Sequence, residues 1–138
     1  MKIKLPDFST GRVLVSGDLM LDRYWHGGTS RISPEAPIPI LKKGKEQFRM
    51  GGAANVAANV SGFGVKTVLA GLIGKDINGE HLTQLIKDKL ISCKGVIRGK
   101  NPTTTKTRII SGQQQIIRID EEEIVLSLNK NDTKKILD

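Results

Sequence analysis

Apolar and polar positions along the first two thirds of the chain form an alternation of short strands and helices. Residues 12–17, RVLVSG, are a β-branched run that ends in glycine and precedes Asp18, which predicts a buried strand with a carboxylate at its C-terminal end. A second strand is predicted at residues 65–74, VKTVLAGLIG, and helices are predicted at residues 51–64 and 76–91. Strand, helix, strand and helix in this order indicate an α/β fold with a parallel sheet.

The two predicted helices differ in the spacing of their apolar residues. GGAANVAANVSGFG, residues 51–64, is small and apolar on nearly every face, so we expect a buried helix packed closely against the sheet. The second helix is expected to begin at the capping residue Asp76. Its apolar residues recur at helical spacing along one side and are Leu82, Leu85, Ile86 and Leu90.

Two further regions have an extended pattern. Residues 22–48 alternate short extended stretches with glycines and prolines, so they cannot be helical and indicate strands that leave the main sheet. TTTKTRIISG and QQQIIRIDEE, residues 103–122, predict two strands around a turn at residues 111–113, and these could rejoin the earlier strands. A last helix is expected to start at Asp132. A parallel sheet with so few strands, packed beside an apolar helix, would leave much apolar surface in water. We therefore expect that further structure, either missing here or supplied by another chain, covers this surface.

Composition and charge narrow the classes of protein. With 38% hydrophobic and 26% charged residues in 138, the chain fits one folded domain or a piece of one. The net charge of +8 would suit nucleic acid, but aromatic residues are only 4% and the basic residues are dispersed, so we expect no nucleic-acid partner. Neither a signal peptide nor a membrane span is indicated, and Cys93 is a single cysteine, which favours the cytoplasm.

Glycines and a carboxylate form the first candidate site. Gly51 and Gly52 open a predicted helix, with Asn55 one turn in, so backbone N–H groups and the helix dipole could receive an oxygen-rich or anionic ligand. Paired glycines could equally serve only close packing of helix and sheet. Asp18 at a strand end could accept hydrogen bonds from sugar hydroxyls, or it could simply form a turn. Asp22 is a weaker candidate for the same role.

Basic residues form a second candidate site on the predicted strand at residues 103–112. Lys106 and Arg108 are two apart, so their side chains share a face and could together bind a phosphate, although solvated strand residues are the commoner outcome. Tyr24 and Trp25 are expected to serve packing rather than ligand stacking. The sequence indicates no catalytic residue, and His26 and His81 belong to no cluster that could bind a metal.

Four segments carry a family resemblance: GDLMLDRYWHGGTSRISPEAPIPIL, GGAANVAANVSGFG, GLIGKD and PTTTKTRIISGQQQIIRID. Together they resemble the N-terminal kinase domain of the bifunctional heptose 7-phosphate kinase and heptose 1-phosphate adenylyltransferase family, over nearly the whole of residues 1–138. GG-A-x-N-x-A is similar to the first signature of the ribokinase (PfkB) superfamily, whereas the DRYW to SPEAPIP stretch is more specific to the heptose enzymes.

The resemblance implies a ribokinase-like fold, with part of a doubly wound parallel sheet and a small β lid from about residues 23–48 and 103–120. It implies that Asp18, Gly51, Gly52 and Asn55 hold sugar hydroxyls, and that Lys106 and Arg108 reach the phosphate. The implied reaction transfers the γ-phosphoryl group of ATP, with Mg²⁺, to the anomeric hydroxyl of D-glycero-β-D-manno-heptose 7-phosphate, on the route to ADP-heptose and the lipopolysaccharide core. The lid implies a homodimer.

One departure from the family pattern affects the expected activity. The catalytic base, a DTxGAGD-like anion hole and most of the ATP pocket belong to the C-terminal half of such kinase domains, and we find none of them in this sequence. We therefore expect this chain to be an N-terminal fragment that is inactive alone and binds neither ATP nor Mg²⁺ strongly. The alternatives are a piece of another PfkB-type sugar or sugar-phosphate kinase, a non-catalytic dimerisation remnant, or a nucleic-acid-binding module.

Overall fold

The computed structural model of the chain describes residues 6–123. In these residues two sheets share one hydrophobic core. The elements in chain order are β1 (Arg12–Ser16), β2 (Leu19–Ile32), β3 (Pro39–Gly51), α1 (Gly52–Ser61), β4 (Lys66–Ile73), α2 (Ile77–Asp88), β5 (Ser92–Arg98), β6 (Thr105–Ser111) and β7 (Gln114–Glu121). The helix expected from Asp132 lies outside the described residues.

The first sheet has the order β1-β4-β5, and its strands are all parallel. Its β1 and β4 pair from Arg12 opposite Lys66 to Ser16 opposite Ala70. The parallel sheet predicted from the strand and helix order is therefore confirmed. Strand β5 was not predicted, because Lys94 and Gly95 interrupt the apolar pattern of SCKGVIR.

The second sheet has the order β3-β2-β6-β7 and contains the extended regions predicted on either side of the helices. Strands β2 and β3 form a long antiparallel pair, β6 runs parallel to β2, and β7 returns antiparallel to β6. The predicted turn between the last two strands is confirmed, and Gly112 occupies it with a left-handed φ of +60°. The separate extended regions thus do rejoin in one sheet.

The core lies where the two sheets meet the helices. Leu19 and Leu21 begin β2 and are buried together with Leu69 of β4 and Leu82 of α2. Strand β2 therefore contributes its first residues to the core of the parallel sheet and its remaining residues to the second sheet. This shared strand ties the two sheets together through apolar contact.

Two expectations about burial were wrong. Strand β1 is mostly exposed, with Leu14 66% accessible, although its sequence predicts a buried strand. Helix α1 buries only Ala54 and Ala57, while Val56 on another side is 52% accessible. The described residues cover one face of each of these elements, so the apolar pattern exceeds the surface that is actually buried. Leu90 lies beyond the end of α2, with a φ of 58°, and is exposed.

The start of α2 follows its sequence closely. Asp76 is the N-cap and its carboxylate accepts the Gly79 N–H at 2.7 Å, as the sequence predicts. Leu82 and Ile86 are buried on the side that faces the core, and Leu85 packs against that core. Within residues 6–123, neither helix is long and apolar enough to cross a membrane.

Candidate functional site

The junction between β3 and α1 brings the predicted glycines next to Asp18. Gly51 is the N-cap of α1, and Gly52 follows with a left-handed φ of +54°. The Ala53 N–H donates to the Asp18 carbonyl oxygen at 2.9 Å, and a Cβ on Gly52 would overlap that same oxygen. Close packing therefore explains why glycine is needed at residue 52. The same packing places Asp18, two residues after β1 ends, beside the first turn of α1.

This junction leaves polar groups open to solvent. The side chains of Asp18 and Asn55 are exposed, and no side chain caps the N-terminus of α1 among the described residues. The first turn contains no acidic residue, so the positive end of the helix dipole is not neutralised there. A sugar hydroxyl or an anionic oxygen could approach this turn, with Asp18 accepting and Asn55 donating or accepting hydrogen bonds.

The carboxylate of Asp22 lies between Arg108 of β6 and the glycine junction, where β3 meets α1 at Gly51 and Gly52. A Cβ on buried Gly51 would lie 3.1 Å from the Asp22 Oδ2 atom, so the carboxylate lies against the junction. On its other side, the Asp22 Oδ1 atom accepts a hydrogen bond from Arg108 Nη1 at 2.6 Å. This hydrogen bond raises the pKa of Arg108 above its already high ordinary value, because the ion pair favours the charged guanidinium.

Lys106 and Arg108 share one face of β6, as predicted. Strand pairing sets Lys106 opposite Asp22 and Arg108 opposite Tyr24, so all four side chains lie on the same face of the second sheet. Lys106 Nζ approaches Asp120 at 3.5 Å and Glu122 at 3.3 Å. Carboxylates therefore already contact both predicted phosphate-binding residues.

Asp120 has two basic neighbours on this face. Desolvation acts to raise the pKa of its carboxyl, but the hydrogen bond from Arg118 at 2.9 Å and the charges of Arg118 and Lys106 outweigh it and leave the pKa lowered. Asp120 is exposed, so this pair contributes little to stability. Its consequence is local, because the carboxylate stays ionised and holds Lys106 on this face.

Arg49 is a basic residue of this face that the sequence reasoning missed. It pairs with Asp22 across β2 and β3, and its guanidinium carbon lies 4.8 Å from the centroid of the Tyr24 ring. The guanidinium of Arg108 lies 5.3 Å from the same centroid, so Tyr24 contacts both arginines. Alternation from Asp22 along β2 and from Gly51 back along β3 could have placed Arg49 here, but only once the pairing of these strands was known.

Trp25 lies on the opposite face of the sheet from Tyr24. Its indole N–H donates to Glu46 at 2.9 Å, and Lys43 Nζ lies 4.4 Å from its ring centroid. The hydrogen bond from Trp25 lowers the pKa of Glu46, with a further contribution from Lys43. Trp25 therefore contacts residues of β3 and lies away from the cluster of Arg49, Lys106 and Arg108.

The arrangement is suited to a ligand that is both hydroxylated and phosphorylated. Exposed Asp18 and Asn55 at a helix N-terminus provide partners for hydroxyl groups, and the cluster of Arg49, Lys106 and Arg108 provides charged donors for a phosphate. Planar guanidinium groups stacked on Tyr24 are partly pre-oriented for a second bond. Among residues 6–123, no group of three His, Cys, Asp or Glu side chains is placed to hold a metal ion.

Comparison with known proteins assigns the family. The model of the pfkB family carbohydrate kinases matches residues 11–135. The chain belongs to this family. Its curated relatives include the bifunctional protein HldE of Erwinia tasmaniensis, 50% identical over 123 residues, and that of Haemophilus influenzae, 47% identical over 131 residues. The matches cover 89% and 95% of this chain, respectively, but only 26% and 27% of the relatives, so the chain spans about a quarter of their length.

Solved structures of sugar kinases show the same fold. A putative sugar kinase from Clostridium perfringens superposes with a TM-score of 0.66 at 20% identity, covering 92% of this chain and 40% of that one. Ribokinase of Arabidopsis thaliana, solved with ribose and ATP, superposes with a TM-score of 0.63 at 20% identity, covering 80% of this chain and 35% of that one. The predicted ribokinase-like α/β fold, present in part, is thereby confirmed.

Proposed function

We propose that the whole protein to which this chain corresponds is a D-glycero-β-D-manno-heptose 7-phosphate kinase. The anomeric hydroxyl of the sugar attacks the γ-phosphorus of ATP, loses its proton, and yields the 1,7-bisphosphate and ADP. Identity of about half of the aligned residues to bifunctional HldE proteins supports this substrate over other sugars. Such a product would serve ADP-heptose and lipopolysaccharide core synthesis, and we place the protein in the cytoplasm.

Within this enzyme, the described residues bind the sugar phosphate. Asp18, Gly51, Gly52 and Asn55 hold sugar hydroxyls at the start of α1, while Lys106 and Arg108 bind the 7-phosphate. The observation that carries this division is the Asp22 carboxylate, which lies against Gly51 and bonds Arg108, so the hydroxyl site and the basic cluster are neighbours. We add Arg49 to the phosphate site, because it contacts Tyr24 beside Arg108.

The second sheet acts as the lid of this site. In this proposal, residues 1–138 are an N-terminal part of the kinase domain. ATP and Mg²⁺ would be held by other parts of the whole protein, because the family resemblance assigns most of the ATP pocket to the C-terminal half of the kinase domain. We therefore expect the isolated chain to bind the sugar phosphate without turning it over.

The first test separates the two halves of the site by ligand. Heptose 7-phosphate and unphosphorylated heptose would each be titrated into this chain, and both would be assayed with a complete kinase carrying the segment. We expect Asp18→Ala and Asn55→Ala to weaken use of both sugars. Arg49→Gln and Arg108→Gln should weaken binding of the phosphorylated sugar by about tenfold or more, because a charged hydrogen bond to phosphate contributes roughly 1.5–3 kcal/mol. Binding of the unphosphorylated sugar should be nearly unchanged.

Arg118→Gln is the matched control, because Arg118 lies on the same face but is exposed and bonds Asp120 alone among the described residues. Turnover near the wild-type value in Asp18→Ala or Asn55→Ala would remove those residues from the site. Parallel assays with ribose and fructose phosphates distinguish a heptose kinase from another sugar kinase of the family. A clear preference for one of these sugars would contradict the heptose assignment.

We also propose that the lid pairs with the lid of a second copy of the chain. Ile109, Ile117 and Ile119 share the face of the second sheet opposite the basic cluster, and Ile117 is 52% accessible to solvent. An exposed apolar strip on an outer strand is typical of a protein interface. Sedimentation of the chain should show a dimer that Ile117→Lys dissociates, and sedimentation as a monomer only would contradict the dimer.

A further inference from the structure

The first turns of α2 contact the side of the second sheet that faces away from the candidate site. Asn78 bridges two neighbouring strands there, since its carbonyl oxygen accepts from Arg23 of β2 and its amide donates to Thr105 of β6 at 3.1 Å. Thr105 is fully buried and its hydroxyl in turn donates to the Thr103 carbonyl oxygen at 2.9 Å. One amide group on a helix therefore connects both central strands of the sheet.

Asn78 accepts the side-chain hydrogen bond that Arg23 donates among the described residues. Its Nε atom is buried without a hydrogen-bond partner among the described residues, and the nearest carboxylate oxygen, from Glu46, is 3.6 Å away. The guanidinium also lies 5.6 Å from the centroid of the Phe48 ring. Phe48 stacks on His81 of α2 at 4.4 Å between centroids. Since residues 78 and 81 are three apart on the helix, Asn78 and His81 present one face of α2 to the sheet.

A third contact fixes the segment that leads into β6. The Asp76 carboxylate accepts the Thr103 N–H and the Thr103 hydroxyl, each at 2.7 Å, in addition to capping α2. The Thr103 hydroxyl also accepts the Gly74 N–H at 2.8 Å. A Cβ on Gly79 would approach the Thr103 hydroxyl to 2.9 Å, so glycine allows this close contact. Thus β6 starts at a point set by α2.

Alternation along the strands links these contacts to the other face. Arg23 lies between Asp22 and Tyr24, and Thr105 directly precedes Lys106. Residues that bond α2 therefore alternate with residues of the candidate phosphate site, so fixing one face fixes the other. The Asp22 carboxylate has little room beside Gly51, and a small shift of β2 would move Arg108 with it.

We propose that contacts from the start of α2 position the phosphate-binding face of the second sheet beside the glycine junction, with Asn78 as a positioning residue. This role rests on the proposed function, because it concerns binding of the sugar phosphate. Asn78 lies on the face of the second sheet opposite the proposed phosphate-binding residues. It acts through Arg23 and Thr105, which hold the strands that carry Asp22, Lys106 and Arg108.

The test combines amide hydrogen exchange with calorimetric titration of the full chain. In Asn78→Ala, exchange in β2 and β6 should rise by about tenfold while exchange in β4 stays unchanged, because only contacts of the second sheet are lost. The preference for heptose 7-phosphate over unphosphorylated heptose, taken as the ratio of the two Kd values, should fall by about tenfold. A purely structural role would lower both affinities together and leave the ratio unchanged.

Thr105→Val provides a second variant if Asn78→Ala folds poorly, because it removes the hydroxyl and keeps the shape of the side chain. It should reproduce both effects, and Thr105→Ser, which keeps the hydroxyl, should restore wild-type values. Gln84→Ala on the exposed side of α2 is the control and should change neither measurement. Unchanged exchange or an unchanged ratio in both Asn78→Ala and Thr105→Val overturns the positioning role alone. A wild-type chain without preference for the phosphorylated sugar overturns the proposed function, and the positioning role with it.

Discussion

The two sheets of this chain differ in what holds them together. The parallel sheet of β1, β4 and β5 packs Leu69 and Ile73 against the buried residues of both helices. In the four-stranded sheet, every residue of the outer strand β7 is exposed, and side chains are joined by ion pairs such as Arg108 with Asp22. Apolar burial therefore stabilises the first sheet, and polar contacts organise the second.

This difference separates stability from recognition. Ion pairs nearer the surface, such as Arg118 with Asp120, contribute little to the free energy of unfolding, but they fix the direction of charged groups. Buried leucine side chains contribute several times more and recognise no ligand. Mutations in the two sheets should consequently have effects of different size and kind, and three predictions test this, beginning with the largest effect.

The largest effect should come from shortening a buried side chain of the parallel sheet. Leu69 is fully buried in the core, so Leu69→Ala should lower the free energy of unfolding by about 3 kcal/mol or more. Ile116→Ala on β7, outside the proposed dimer surface, should change it by less than about 0.5 kcal/mol, because that side chain is exposed. Urea denaturation of both variants measures the difference, and equal losses would show that the second sheet has its own apolar core.

A smaller effect should come from adding a methyl group at the glycine junction, where β3 meets α1. Gly52→Ala introduces both a left-handed residue and an overlap with the Asp18 carbonyl oxygen, and should cost about 2–3 kcal/mol. Gly112→Ala is the matched control, because its φ is similar but no atom lies within 4 Å of the added methyl. It should cost only about 1 kcal/mol. Equal losses in urea denaturation would mean that backbone strain alone requires glycine at residue 52.

The smallest effect should depend on pH and come from Asp76. Desolvation acts to raise the pKa of this carboxyl, but hydrogen bonds from Thr103 and Gly79 outweigh it and leave the pKa below its ordinary value. A carboxyl whose pKa is lowered by folding stabilises the folded state above its unfolded pKa of about 3.9, and this stabilisation is lost as pH falls. Asp76→Asn should therefore be less stable than wild type by about 1 kcal/mol at pH 7, and the difference should narrow as pH falls below about 3.9.

The control for this pH dependence is Gln84→Ala, which removes an exposed and uncharged side chain of α2. Its free energy of unfolding should follow wild type at every pH between 3 and 7. A constant difference between Asp76→Asn and wild type over this range would show that ionisation of Asp76 does not contribute.

Local signals in the sequence were sufficient for much of the fold. The cap at Asp76, the turn around Gly112 and the parallel strands β1 and β4 depend on neighbouring residues and were predicted correctly. Burial was overestimated for Leu14 and Val56, because an apolar pattern indicates what a surface could pack against and not what covers it. Strand β5 was missed because its alternation is broken by a lysine and a glycine.

The candidate site shows the same limit. That Lys106 and Arg108 share a face follows from their spacing, and the structure agrees. The position of Arg49 opposite Asp22 depends on the pairing of β2 with β3, and the bridge from Asn78 depends on the packing of α2 beneath the sheet. Such relations between distant segments have no local pattern, so the sequence alone could not predict them.

Trp25 makes the comparison between the two sheets directly observable. It is the single tryptophan of the chain, and its neighbour Tyr24 is the single tyrosine. Both are in β2, within the second sheet, and the indole is bonded to Glu46 of the same sheet. The tryptophan and tyrosine fluorescence of this chain therefore arises from the polar sheet alone. Its midpoint in a denaturation curve, set against the circular dichroism of the helices, would show whether the two sheets unfold together.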